Sequence, residues 1–497
     1  MLPFDTLITI DKTLSVSVYQ QIANQILMLI KNGIVKSGSY LPGTRELARM
    51  VVVHRKTIIA AYNELSAQGW ITVIPRKGFI VVPNLPEVQP QQWDQQKAGF
   101  AYESSMPSPF YKTNQYGVIP LASDTMVHEL IIDDGHPDMR LAPMDLLNRE
   151  YRSRLKKVQT FKRVSATLAA GSFNLRETMI SHMAQTRGLQ AQASNIMMTH
   201  GAQMSIYIAA SLLLKPGDNV IVGEPGYFVA NQVFESLGAN VIRMTVDQDG
   251  INTDLIATAC QKLNIRMLYL VPHHHHPTTV TLSPQRRMRI LELAEEHNFT
   301  IVEDDYDYDF HYSSSPYLPL ASGNHQNRVV YIGSFSKSLS TSIRIGFMIA
   351  SADFIAHAVH IRRLIDLKGD HIMEDSLAAL IENGDINRYL KKNNKIYKER
   401  RDHLIKMLDT YLKGIVSYEK PDGGMAIWVK FDPNYPIEQI SIKAARQGLY
   451  MNNGKLFDNN GVSYNAIRFG FASLTLPEIT KAVQIISSSL VLTLQPK

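Results

Sequence analysis

Lys337 lies in Gly333-Ser334-Phe335-Ser336-Lys337, directly after the apolar run Val329–Ile332. A lysine at a strand end, preceded by small hydroxyl residues, can form a Schiff base with an aldehyde while the hydroxyls hold a phosphate. Arg344, seven positions on, can clamp the same phosphate bidentately. Asp304, in Glu303-Asp304-Asp305-Tyr306, follows the apolar run Thr300–Val302. A carboxylate at the C-terminal end of a parallel strand can ion-pair with a pyridinium nitrogen, and a neighbouring tyrosine hydroxyl can bond a ring phenolate. Thr199-His200-Gly201-Ala202-Gln203 opens a predicted helix that runs to Leu213, and backbone N–H groups at a helix N-terminus form a phosphate site. Glu224-Pro225-Gly226-Tyr227 follows a strand ending at Val222 and puts an aromatic ring where it can stack on a planar cofactor. Each segment alone is a common pattern. Their order and spacing together point to pyridoxal 5'-phosphate.

Those residues need a scaffold that delivers strand ends to one place. From about residue 121 the chain alternates helical stretches with the short apolar runs Val220–Val222, Val241–Met244, Met267–Val271, Thr300–Val302 and Val329–Ile332. This is the α/β pattern of a mostly parallel sheet. From about Asp375 a long polar helix (Ile386–Leu412) precedes strands near Gly424–Lys430 and Ala466–Phe471, which reads as a smaller α+β subdomain.

The first 83 residues have a different character. They hold nine Lys/Arg against four Asp/Glu, a net +5 of the chain's +6, and the other 414 residues carry +1. Such asymmetry points to a basic module on a near-neutral body. Tyr19, Ile22, Ile26, Leu29 and Ile30 line one helix face, Leu47, Ala48 and Val51 a second, and Ile58, Ile59, Tyr62 and Leu65 a third. Ile71–Val73 and Phe79–Val82 flank the basic turn Pro75-Arg76-Lys77-Gly78, as two strands of a wing would. In a winged helix-turn-helix the second helix crosses the DNA backbone and the third enters the major groove by its N-terminal residues. Arg45 and Arg49 fall on the second helix, His54-Arg55-Lys56-Thr57 opens the third, and Arg76 and Lys77 tip the wing. Arg55 or Lys56 can read guanine edges while the others neutralise phosphates. Residues 84–120, rich in Pro, Gln and Ser, read as an extended linker.

Composition excludes other classes. A single cysteine, Cys260, rules out an intramolecular disulfide framework and argues against a Cys-based zinc site. No apolar run reaches the length of a membrane helix, and the N-terminus lacks a signal-peptide pattern, so a cytoplasmic protein is expected, on the nucleoid when bound to DNA. The run His273-His274-His275-His276 invites a metal reading, but adjacent side chains do not converge easily, and no metal site is expected.

LPGTRELAR (41–49) and HRKTIIAAYNELSAQGWI (54–71) resemble the winged helix of the GntR family, and the body resembles fold-type I aminotransferases that use pyridoxal phosphate. In this order the combination is similar to the MocR subfamily of GntR regulators. The resemblance implies a winged helix over 1–83, a linker over 84–120 and an aminotransferase-like effector domain over 121–497. It makes Lys337 the Schiff-base lysine, Asp304 the partner of the pyridine nitrogen, Tyr306 the ring-oxygen partner and Tyr227 the stacking ring. Gly201, Ala202, Gln203, Ser334, Ser336 and Arg344 would hold the phosphate, and Arg468 would receive an effector carboxylate. It also implies a homodimer, each winged helix swapped onto the partner body. Three positions depart from the family pattern. His276 takes the place of an asparagine that bonds the ring oxygen, and Thr279 that of a glycine; both put efficient transamination in doubt more than cofactor binding. Val52 stands where a glycine is usual in the helix-turn-helix turn, and β-branched residues resist positive φ.

The expected function is therefore a transcriptional regulator that binds a double-stranded operator and senses pyridoxal phosphate or an amino compound, with at most partial transamination. The alternatives are a working aminotransferase with an incidental DNA-binding domain, and a DNA binder with a cofactor-free body.

Overall fold

The computed structural model describes residues 2–14, 16–75, 77–83, 128–157, 168–312, 317–458 and 462–490. The chain divides into two compact units, Met1–Asn114 and Gln115–Lys497.

In the first unit the helices Val18–Lys31, Thr44–Met50 and Arg55–Ala67 are followed by the antiparallel strands Ile71–Ile74 and Gly78–Val81. A one-turn helix, Phe4–Leu7, precedes them. The core is built from Ile22, Ile26, Leu47, Ile58, Tyr62 and Leu65, all within 1% of complete burial, and the Tyr62 hydroxyl donates to the Pro42 carbonyl at 2.8 Å. Ile59, expected inside, is exposed; Ala61 takes the inner position, because 58, 61, 62 and 65 share one face of a 3.6-residue helix. Val52 has φ +53°. The N–H of Val53 bonds the Ala48 carbonyl at 3.0 Å, so the helix Thr44–Met50 ends in a Schellman turn whose left-handed position usually holds glycine. Here it holds an exposed valine.

The second unit is built on an eight-stranded sheet. Its five central strands, Val329–Ser334, Thr300–Asp304, Ile265–Leu270, Asn219–Glu224 and Asn240–Asp247, pair in that order and are all parallel. They read as apolar runs because helices cover both faces of such a sheet. Gly346–Ile349 pairs antiparallel with Val329–Ser334 and with Ile196–Thr199. Gly250–Ile251 closes the far edge. A smaller layer follows the helix Asp385–Tyr411: the antiparallel strands Val416–Tyr418, Ala426–Phe431 and Ala466–Gly470, packed by the helices Ile437–Arg446 and Leu476–Ser488. Among the described residues no helix is long and apolar enough to cross a membrane.

Candidate functional site

The C-terminal ends of the parallel strands open on a cavity of about 290 Å3. Ten residues singled out from the sequence line it: Ala202, Gln203, Tyr227, His276, Asp304, Tyr306, Ser334, Ser336, Lys337 and Arg344. Gly201 lies at its edge, as the N-cap of the helix Ala202–Leu213 with φ +91°. A Cβ there would stand 2.7 Å from Nη2 of Arg344, so the arginine lies against bare backbone.

Two neighbours fix Arg344. Its Nη2 donates to the His200 carbonyl at 3.2 Å and its Nη1 lies 3.5 Å from Ser336 Oγ. Ser336 Oγ in turn donates to the Ile343 carbonyl, and Ser334 Oγ accepts from the Ser336 N–H. The guanidinium, two hydroxyls and the start of a twelve-residue helix form a cluster suited to a dianionic phosphate.

At the other end of the cavity Asp304 closes its strand. Its Oδ2 accepts from the Tyr269 hydroxyl at 2.7 Å. Its Oδ1 is buried with no hydrogen-bond partner among the described residues. Burial raises its pKa to about 7, against the hydrogen bond from Tyr269 and with help from the charges of Asp305 and Asp307. An ionisable oxygen left bare in a closed wall fits a cationic N–H donor that the described residues do not supply.

Lys337 sits on the short helix Phe335–Ser338, its Nζ donating to the Gly135 carbonyl at 2.7 Å. Burial lowers its pKa, opposed by the Asp134 carboxylate, which favours the neutral, nucleophilic amine. The Tyr306 hydroxyl donates to the His274 carbonyl at 3.2 Å and accepts from Arg468 Nη2 at 3.0 Å. Tyr227 meets the His276 ring edge-on at 5.3 Å. His276 binds Asp134 through Nε2 at 2.7 Å, and its Nδ1 is buried without a partner among the described residues.

The four consecutive histidines go four ways. His273 pairs with Asp305, His274 with Asp307, His275 with the Pro225 carbonyl and His276 with Asp134. Burial lowers the pKa of His275 to about 4. Thr279, in the place of a glycine, keeps the left-handed backbone at φ +63°, and His274 has φ +48°.

Sequence reasoning missed several wall residues: Asp134, His136, Ile206, Tyr269, Val271 and Thr341. Tyr269 carried a signal, a hydroxyl at the end of the apolar run Ile265–Leu270. Asp133-Asp134-Gly135-His136 carried none beyond that of a polar turn. Arg468 is on the strand Ala466–Gly470, its side chain 1% exposed. It stands behind Asp134 rather than among the cavity-lining residues.

In the first unit Arg45, Arg49, His54, Arg55, Lys56 and Lys77 are described at the positions expected of them, and Thr57 is half-buried. His54, Arg55, Lys56 and Lys77 are exposed. His54 caps the third helix, its Nδ1 accepting from the Lys56 N–H. Arg55 Nε lies 3.3 Å from Thr44 Oγ1, tying the starts of the second and third helices. Arg76 lies outside the described residues, as does the stretch 84–120.

Comparison with known proteins places these two parts. Residues 134–486 match the family model "Aminotransferase class I and II", and residues 18–81 match "Bacterial regulatory proteins, gntR family". The chain thus belongs to the class I and II aminotransferase family and carries a GntR helix-turn-helix ahead of it, the make-up of the MocR subfamily of regulators. It is 26% identical over 467 residues to the uncharacterized HTH-type transcriptional regulator YdfD of Bacillus subtilis, covering 92% of this chain and 93% of that protein. It is 24% identical over 450 residues to the probable rhizopine catabolism regulatory protein MocR of Rhizobium meliloti, covering 89% and 87%. Among solved structures, an archaeal alanine:glyoxylate aminotransferase superposes with a TM-score of 0.69 at 26% identity, over 74% of this chain and 92% of that one.

Proposed function

We propose that this protein is a DNA-binding transcriptional regulator whose aminotransferase-like body binds pyridoxal 5'-phosphate and senses that cofactor, an amino compound, or both. One observation carries the reading: a single chain joins a basic winged helix to a pocket that keeps Lys337, an open oxygen on Asp304 and the Arg344 cluster. In this reading 1–83 binds DNA, 84–120 links and 121–497 senses, as a cytoplasmic homodimer with two winged helices for two half-sites.

Pyridoxal phosphate, when bound, supplies an aldehyde that condenses with amines and a ring that withdraws electrons. The chain's own residues do the rest. Arg344, Ser334, Ser336 and the N–H groups of Ala202 and Gln203 hold the phosphate. Asp304 Oδ1 accepts from the ring nitrogen and keeps it protonated. Tyr306, or His276 through Nδ1, would bond the ring oxygen, and Tyr227 would face the ring. Lys337 would supply the amine that the aldehyde takes up. Only a ligand that binds one state of the body better than another would shift DNA affinity.

The test is a gel shift on the chain's own upstream DNA at fixed salt. A specific, salt-sensitive shift is expected; its absence with and without pyridoxal phosphate would sink the proposal. A second reading, a working aminotransferase, is favoured by the presence of lysine, aspartate and phosphate cluster together. Repeated conversion of amino acid to keto acid would support it, and a stoichiometric response would support the sensor.

A further inference from the structure

We infer that Asp134 makes this pocket select amines that carry no carboxylate, because its carboxylate lines the cavity in front of the buried Arg468 guanidinium. The inference rests on the reading of the pocket as a site for pyridoxal phosphate and an amine.

Each nitrogen of the Arg468 guanidinium makes one hydrogen bond to the protein. Its Nε donates to the Asp134 backbone carbonyl at 3.2 Å and lies 3.5 Å from Asp134 Oδ1. Its Nη1 donates to the Pro277 carbonyl at 3.3 Å and its Nη2 to the Tyr306 hydroxyl at 3.0 Å. The arginine side chain is 1% exposed and the Asp134 side chain 47%. The cavity wall near Lys337 is thus lined by the carboxylate, with the guanidinium behind it. The second oxygen, Oδ2, takes a hydrogen bond from His276 Nε2 at 2.7 Å, so both ends of the carboxylate are held. Lys337 Nζ reaches the carbonyl of the next residue, Gly135, which puts the reacting amine beside this loop.

The charge on Asp134 is well supported. Enclosure by the pocket wall raises its pKa, and the charge and hydrogen bond of His276 together with the Arg468 guanidinium outweigh that, leaving it below the ordinary aspartate value. An entering ligand carboxylate meets this anion at close range and finds the arginine buried behind it. To reach Arg468 it must displace Asp134 and leave a second carboxylate in the same wall, an arrangement in which like charges strongly disfavour each other. A plain alkylamine leaves the Asp134–Arg468 pair intact, and a second ammonium group gains from facing Asp134. Discrimination here comes from a repulsive element built into the site.

Two pairs of ligands differ by a single carboxylate: cadaverine against lysine, and propylamine against 4-aminobutanoate. Each is titrated into full-length protein loaded with pyridoxal phosphate, following the visible absorption band of the cofactor. The wild type is expected to half-saturate at a concentration at least about tenfold lower with the amine of each pair, and Asp134→Ala to shrink that ratio by about tenfold or more. Asp134→Asn, closer in shape, should shift it the same way and covers the case of a poorly folding alanine variant. Tighter or equal binding of the amino acids by the wild type, or an unchanged ratio in both variants, overturns the inference. A calorimetric titration of acetate into cofactor-free protein separates the two claims: acetate should bind Asp134→Ala and not the wild type. Absence of any cofactor band in the wild type would instead defeat the cofactor reading, with the acetate result still deciding the role of Asp134.

Discussion

Replacing Asp304 by asparagine should make the cofactor-free protein more stable at pH 8 while removing its response to the cofactor. The folded pocket holds the Asp304 carboxyl at a pKa of about 7, against an ordinary 3.8. An acid whose pKa rises on folding binds more protons folded than unfolded, so stability falls as pH climbs from about 4 to about 7 and is level above. The displacement of roughly three units corresponds to about 4 kcal/mol at pH 8. Asparagine carries no such penalty. It keeps an oxygen for the Tyr269 hydroxyl but puts an NH2 where Oδ1 already lacks a partner, which costs about 1–3 kcal/mol. The net gain is then about 1–3 kcal/mol at pH 8. At pH 4 the gain vanishes and the variant is the less stable. The assay is thermal unfolding of full-length wild type and Asp304→Asn across pH 4–8, with and without pyridoxal phosphate. At a hundred times its dissociation constant a ligand adds about 2.7 kcal/mol; the wild type should show a rise of that order and the variant little. A variant that is destabilised equally at every pH, or that still gains fully from the cofactor, would refute the reasoning.

Three further outcomes are expected. Gly201→Ala pushes a Cβ to 2.7 Å from Arg344 at a backbone φ of +91°, so pyridoxal phosphate affinity should drop about tenfold or more in equilibrium dialysis. Val52→Gly relieves a left-handed valine that is 87% exposed; a steric relief of about 1–2 kcal/mol against a glycine entropy cost of about 0.5–1 kcal/mol leaves a gain of up to about 1.5 kcal/mol, visible as slower hydrogen exchange in the helix Arg55–Ala67. Arg45→Ala or Arg49→Ala should lower the slope of log affinity against log salt by about 0.9 for each phosphate no longer neutralised, whereas Arg55→Ala should weaken the preferred sequence by about 1–3 kcal/mol and relax discrimination at one base.

Much of this architecture was legible because burial leaves a local trace. The five central strands were found as apolar runs, since a parallel sheet covered on both faces needs no polar alternation. Lys337, Asp304, Arg344 and Tyr306 were found because each follows such a run at short range. The strand Gly346–Ile349 was missed: it is four residues long and enters antiparallel beside Ile196–Thr199, a pairing across some 150 positions that no local pattern encodes. Asp134 and His136 were missed for the same reason. They reach Lys337 from about 200 residues upstream, and Asp-Asp-Gly reads locally as a turn. Arg468 was named from its motif, but a motif does not tell what stands in front of a side chain. Val52 shows a case where the local rule held: the position demands positive φ, and the backbone adopts it despite the wrong residue type.

The central claim is that occupancy of the Lys337 pocket alters DNA affinity. The most direct measurement is fluorescence anisotropy of labelled upstream DNA titrated with wild type and Lys337→Ala at one salt concentration, with and without pyridoxal phosphate and an amine. The account predicts that the ligands change the dissociation constant of the wild type several-fold and leave that of Lys337→Ala unmoved. Identical responses in the two proteins would contradict it.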